Sequence, residues 1–255
     1  MDCVSLGAMV AHIGRLFTFG CSFTNYYWQT WADILGAHWI EFQNWGQSGA
    51  GNHYILNAIM ECDQRHQFQP QDTVVVCWTN VMREDRYVDG RGWITCGNVG
   101  TASVFTRDFV ADMVTERGYI IRDIAFIKAA LYFLISKQVT WKFLSLCPFS
   151  NPDPWDDRIM HHSNDVYTLY ADVLDHILPS YIEVLGRDFW QHNQERRFRN
   201  KSGQMDYHPL PSEHLKYLDT VLPGWVRDNQ IRQLALQDQV TSSGYSDGTN
   251  QNTRL

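Results

Sequence analysis

Ser22 stands two residues after Gly20, where the apolar run Leu16-Phe17-Thr18-Phe19 ends and a stretch with helical spacing begins. A serine at a strand–glycine–helix turn can act as a nucleophile. Its hydroxyl sits at the carboxyl end of a strand, and neighbouring backbone N–H groups can face a developing oxyanion. The same pattern also fits an ordinary turn in which Ser22 caps the following helix. Further segments with chemical potential lie downstream. Asn44-Trp45-Gly46-Gln47-Ser48-Gly49-Ala50-Gly51-Asn52 holds three glycines in six positions, the composition of a loop whose backbone comes close to something or takes positive φ. Trp78-Thr79-Asn80 closes another apolar run, and Asp206-Tyr207-His208-Pro209 lies near the carboxyl terminus.

The elements that must position these residues alternate between strand and helix. Leu16–Phe19, Trp39–Gln43, Thr73–Cys77 and Thr140–Leu146 read as strands, with Tyr181–Leu185 either a fifth strand or the end of a helix. The β-branched run at Thr73–Cys77 reads as a strand covered on both faces, as in a parallel sheet between helices. Helices are expected over Asn25–Leu35 (ended by Gly36), Tyr54–Arg65, Tyr119–Ser136, Asp165–Leu178 and His214–Leu222, the last with Ser212 as N-cap and Glu213 in its first turn. Such alternation implies βαβ units, right-handed crossovers and a three-layer α/β/α sandwich of about five parallel strands in flavodoxin-like order. In a sheet of this kind the ligand site lies beyond the carboxyl ends of the strands. Ser22, the Asn44–Asn52 loop and Asn80 all fall there.

The domain is expected to span residues 1–235. Residues 82–118, with the cluster Arg83, Glu84, Asp85, Arg86 and a short helix near 106–116, read as an insertion that shapes or covers the substrate pocket. Residues 236–255 form a polar tail, disordered or an arm for a protein partner. The first 14 residues are a lead-in.

Composition narrows the class. The 255 residues carry 21 basic and 28 acidic side chains, a net charge of −7 that weighs against a nucleic-acid or anionic-membrane partner. No apolar stretch reaches the ~18 residues of a spanning helix, and the amino terminus, with an acid at position 2, is a poor signal peptide. A cytoplasmic or virion-associated location is expected. The six cysteines (Cys3, Cys21, Cys62, Cys77, Cys96, Cys147) include no C-x-x-C pair, and are read as buried thiols in a reducing compartment, without a disulfide framework or zinc site. The doublet His161-His162 and the basic cluster Arg196, Arg197, Arg199, Lys201 read as loop residues. Asp206, His208 and His214 match no metal-ligand spacing, so neither metal nor cofactor is expected.

Together, Gly-Cys-Ser-Phe-Thr, Asn-Trp-Gly-Gln-Ser-Gly-Ala-Gly, Trp-Thr-Asn and Asp-Tyr-His-Pro resemble, in order and spacing over residues 15–222, the sequence blocks of the SGNH (GDSL) hydrolases. The variant blocks with Gly-Cys-Ser-Phe and Asp-x-His-Pro look like those of marine-bacterial and phage proteins. The resemblance implies a serine nucleophile at Ser22, oxyanion donors from the backbone N–H groups of Ser22 and Gly49 and the side-chain amide of Asn80, His208 as general base, and Asp206 as the acid that orients it. Trp45 and Trp78, which border the donors, are candidate walls of an acyl pocket. Tyr26, Tyr27, Trp28 and Trp31 are either core or a stacking platform for a sugar ring.

Two departures stand out. Cys21 replaces the usual aspartate of the first block; in extended chain it points away from Ser22 and is read as structural. The usual Asp-x-x-His is Asp-x-His here. Residues i and i+2 share a face only in extended backbone, which Pro209 favours at His208. If that backbone is not extended, a backbone carbonyl orients the histidine or a Ser/His dyad works alone; Met205 cannot serve. The function this implies is hydrolysis of an O-acyl ester, acetyl or short-chain, on a small molecule or glycan. Acyl transfer to a sugar, a non-catalytic binding or structural module such as a virion component, and a metal-dependent hydrolase are the rivals.

Overall fold

The computed structural model describes residues 12–101, 104–149, 164–186, 206 and 208–238. The lead-in, His161-His162, the basic cluster at 196–201, Met205 and the tail beyond 238 lie outside the described residues.

Four parallel strands form the central sheet: β1 (His12–Phe19), β2 (Trp39–Asn44), β3 (Thr73–Trp78) and β6 (Thr140–Ser145), in the order β2-β1-β3-β6. The register pairs Phe17 with Gln43 and Val74, and Val76 with Phe143. All six residues of β3 are buried, as its uninterrupted apolar run requires of a strand covered on both faces. Beyond β6, where a fifth strand was expected, a single parallel bridge joins Phe143 to Ile177. Tyr181–Leu185 is instead a short helix, α7. Ser180 accepts the N–H of Glu183, and Glu183 accepts that of Ser180, a reciprocal cap that commits the segment to helix.

On one face α1 (Trp31–Gly36) packs with α8 (Pro211–Val221) and α9 (Asn229–Leu236); on the other α2 (Asn52–His66) packs with α4 (Glu116–Lys137), giving three layers. The expected helix over Asp165–Leu178 divides into α5 (Asn164–Leu169) and α6 (Ala171–Leu174). The expected helix from Asn25 starts only at Trp31. Thr30 donates its N–H to Asp33 at 2.8 Å and its hydroxyl to the Thr24 carbonyl at 2.7 Å, while Trp28 donates its indole N–H to Pro209 O at 2.7 Å. These bonds hold residues 25–29 in an irregular turn. Ser212 is not an N-cap: the helix opens at Pro211 behind Leu210, and Ser212 gives its N–H and hydroxyl to Asp238 at 2.9 and 2.8 Å.

Within 82–118 the chain forms an antiparallel hairpin, β4 (Arg83–Val88) and β5 (Gly92–Asn98), followed by α3 (Arg107–Met113). The hairpin was illegible in the sequence because β4 is mostly charged. Its two acids are spent inside the molecule. Asp85 is 1% exposed and accepts the N–H of Gly51 at 2.9 Å and of Tyr54 at 2.9 Å, capping α2 from a distant strand. Glu84 accepts from Arg122 and Tyr119 of α4, each at 2.7 Å.

Truncating Asp85 leaves two buried N–H groups without an acceptor. Asp85→Ala should lower unfolding free energy by about 2–3 kcal/mol in urea denaturation followed by circular dichroism. Unchanged stability would show that the hairpin does not hold α2.

Candidate active site

The three residues that must meet for serine chemistry do meet. His208 Nε2 lies 2.7 Å from Ser22 Oγ, and His208 Nδ1 lies 2.8 Å from Asp206 Oδ1. The His208 N–H donates to the same Asp206 oxygen at 3.0 Å. The two-residue spacing therefore places carboxylate and imidazole together, and no substitute carbonyl is used. Tyr26 donates its hydroxyl to Asp206 Oδ2, and its ring stacks on the imidazole with centroids 3.7 Å apart at 19°. Ser22 and Asp206 are each 6% exposed, while His208 is half-buried, so the imidazole is the open side of the group. Burial pushes the Asp206 carboxyl up, but the bonds from His208 and Tyr26 outweigh it and leave the group below its ordinary value.

Local structure explains the presentation of Ser22. At the end of β1, Gly20 passes so close to its neighbours that a Cβ there would lie 3.0 Å from the Cys77 carbonyl oxygen and 2.1 Å from Thr24 Oγ1. The Cys21 carbonyl then accepts the N–H groups of Thr24 and Asn25 at 2.9 and 3.2 Å, forming a tight turn around Ser22. Cys21 itself is fully buried in the core.

Gly49 takes φ +75°, and a Cβ there would lie 2.5 Å from the Thr95 carbonyl oxygen of β5. Only glycine lets the loop sit against the hairpin in this way. The contact is fastened by Gly97 N–H to Gly49 O at 2.9 Å and Thr95 hydroxyl to Ser48 O at 2.7 Å. Among the described residues, no acceptor engages the N–H of Ser22 or of Gly49. Asn80 accepts the Met82 N–H through Oδ1 at 2.6 Å, which turns its amide nitrogen the opposite way.

Asn52, which in the sequence is only the end of a glycine loop, organises this side. Its amide accepts the Thr79 N–H at 2.9 Å and donates to Thr79 O at 3.0 Å, clamping the backbone beside Asn80. It also donates to Asp123 at 2.8 Å, and Asp123 pairs with Arg122 at 2.6 Å. No sequence signal marked Asn52, Asp123 or Arg122, because their partners come from α4, β4 and the β3 end.

Trp45 and Trp78, expected as pocket walls, are core instead. They are 2% and 0% exposed and meet His66 and Phe143 edge-on at 5.9 and 5.4 Å. Trp45 does border a cleft of about 580 Å³ along β2, with Asn44, Arg65 and His66. Trp28 and Trp31 are also buried, and Tyr26 is occupied by His208, so these aromatics do not form one sugar platform. His214 is buried, pushed down to about 3 by burial and then by His208, and bonded through Nδ1 to Tyr181 at 2.7 Å. It serves the core behind Phe23. Among the described residues no cluster of His, Cys, Asp and Glu is placed to hold a metal, and no helix is long and apolar enough to cross a membrane.

The architecture is a three-layer α/β/α fold around a four-stranded parallel sheet. It is similar to LAE5, an alpha/beta hydrolase enzyme from the metagenome of Lake Arreo, Spain, with a TM-score of 0.50 and 15% identity over 87% of this chain and 100% of that one. A lipolytic G-D-S-L family protein from Veillonella parvula aligns with a TM-score of 0.45 and 14% identity, over 85% of this chain and 100% of that one. A catalytic mutant of Axe2, an acetylxylan esterase from Geobacillus stearothermophilus, aligns at 0.42 and 15%, over 85% and 99%. No protein-family model and no curated protein matches the chain.

Burial drives Asp123 up to about 7 against the pull of Arg122 and Asn52. Its folded value lies above the ~3.9 of an unfolded aspartate, so the stability it adds is complete below about pH 4 and lost as pH rises through 7. Asp123→Asn should flatten the decline of unfolding free energy over this window, measured by denaturation at successive pH values. An unaltered slope would exclude Asp123 as its source.

Proposed function

We propose that the protein is a serine ester hydrolase that acts through Ser22, His208 and Asp206. The observation that carries this reading is the continuous chain from Ser22 Oγ to His208 Nε2 at 2.7 Å and from His208 Nδ1 to Asp206 at 2.8 Å, at the carboxyl end of β1. A serine hydroxyl is a weak nucleophile until a base takes its proton, and His208 is within reach of that proton. Ser22 Oγ attacks the ester carbonyl, and its proton passes to His208 Nε2. Asp206 holds the imidazole with Nε2 toward Ser22 and stabilises its cation.

The oxyanion is met by the N–H groups of Ser22 and Gly49 and the amide of Asn80, each donor of this kind being worth about 3–4 kcal/mol of barrier. His208 returns the proton to the leaving alcohol. Water, deprotonated by the same imidazole, then releases the acid and regenerates Ser22. The substrate is an O-acyl ester with a short acyl group, acetyl by preference, on a carbohydrate. The resemblance of the four sequence blocks supports this choice, and the contact of the 83–98 hairpin with the Gly49 loop supports a role for the insertion in shaping the acyl pocket.

A fluorophosphonate probe should label the wild-type protein and leave Ser22→Ala unlabelled. Absence of labelling and of aryl-acetate turnover in folded protein would overturn the hydrolase reading and favour a binding module. Asp206→Asn should lower turnover at least about tenfold, since the imidazole loses both its orientation and its counter-charge. An undiminished rate would show that His208 is oriented otherwise.

A further inference from the structure

Asp206 approaches His208 from only two residues away, and this spacing has a consequence for the carboxylate. One oxygen, Oδ1, accepts both the ring Nδ1–H at 2.8 Å and the backbone N–H at 3.0 Å of His208. The other oxygen, Oδ2, gets no bond from its own loop's histidine. It accepts the hydroxyl of Tyr26, which arrives from the nucleophile turn 180 residues earlier in the chain.

We propose that Tyr26 is a positioning residue of this active site, holding Asp206 through its hydroxyl and His208 through its ring. The inference rests on the Ser22–His208–Asp206 reading and extends it to a fourth side chain. The Tyr26 ring lies flat on the imidazole, 3.7 Å between centroids, and Phe23 touches the same imidazole at 5.5 Å and 59°. Tyr26, Phe23 and Ser22 belong to one short turn, so the segment that presents the nucleophile also grips the base. Tyr26 is in turn braced by Trp28 at 4.6 Å, edge-on, and Trp28 is anchored to the Pro209 carbonyl at 2.7 Å, one residue past His208. The turn and the histidine loop thus lock each other from both sides.

The chemistry follows from the donor. A hydroxyl bonded to a carboxylate stabilises its charge and weakens its pull on a neighbouring proton. Tyr26 therefore keeps Asp206 ionised and moderates how strongly it holds the proton of the His208 cation. The other titratable groups facing His208 are the Ser22 hydroxyl from the nucleophile turn and His214 from α8. His214 stays neutral, engaged with Tyr181 of α7.

Tyr26→Phe keeps the ring and removes only the hydroxyl. In the full-length variant the acid limb of the kcat/KM profile on an aryl acetate should move to higher pH by about 0.5 units or more, because the unrelieved carboxylate holds the imidazolium proton more tightly. Turnover at neutral pH should fall with KM unchanged. The titration of the His208 ring signals in NMR, identified by their loss in His208→Gln, should move in the same direction. This second readout needs no substrate. A moved NMR titration in protein that the fluorophosphonate probe fails to label would sustain the Tyr26 linkage while the hydrolase reading fails. An unmoved or downward titration would overturn the positioning role, even where turnover falls through loss of structure.

Discussion

The hydrogen bond between Ser22 Oγ and His208 Nε2 joins segments 186 residues apart, and most of the architecture can be read as what that closure requires. Ser22 is held at the end of the sheet by β1 and by the close approach of Gly20 to Cys77. His208 is held by the entry to α8, where Pro211 occupies the first helical turn and the Pro209 carbonyl accepts the Trp28 indole. Each is tied to the other by hydrogen bonds and stacked rings at distances where a shift of an ångström would break them.

A second scaffold holds the glycine-rich loop and the segment at Asn80. Asp85 reaches out of the β4–β5 hairpin to cap α2, Gly49 seats against β5, and Asn52 clamps the backbone before Asn80. The charged cluster at the start of the hairpin therefore works mostly inward. Arg122 pairs with both Glu84 and Asp123, while Asp85 accepts backbone N–H groups of Gly51 and Tyr54. Such an arrangement ties the glycine-rich loop to the hairpin and to α4 through hydrogen bonds.

The main features of the fold were readable because periodicity is a local signal. The buried run at Thr73–Cys77, the long amphipathic stretch that became α4, and the glycine-rich loop after β2 each announced their structure. The turn from Asn25 to Gln29 has helical spacing, but Thr24, Asp33 and Pro209 outbid the helix for its hydrogen-bonding groups. Ser212 has the composition of a cap, yet Asp238 takes both its donors. Trp45 and Trp78 sit beside the expected donors in sequence, and their side chains turn into the core. Pro209 and Asp238 act from far along the chain, whereas Thr24, Asp33 and the Ser180–Glu183 cap act within a few residues.

By itself, the amino-acid sequence determined the alternation of strands and helices and the chemical types at the strand ends, a hydroxyl at 22, a glycine at 49 and an amide at 80, with an acid and imidazole at 206 and 208 ahead of a late helix. Side-chain period and turn chemistry depend on neighbours within a few residues, so they can be read from a single line of text. Only the tertiary structure decided that the two-residue spacing brings carboxylate and imidazole together, that Tyr26 bonds the carboxylate's second oxygen, and that Asn52 and Asp85 brace the glycine-rich loop. Those outcomes depend on which groups from remote segments arrive within about 3 Å of one another, and hydrogen-bond reach is a property of the folded chain rather than of residue order.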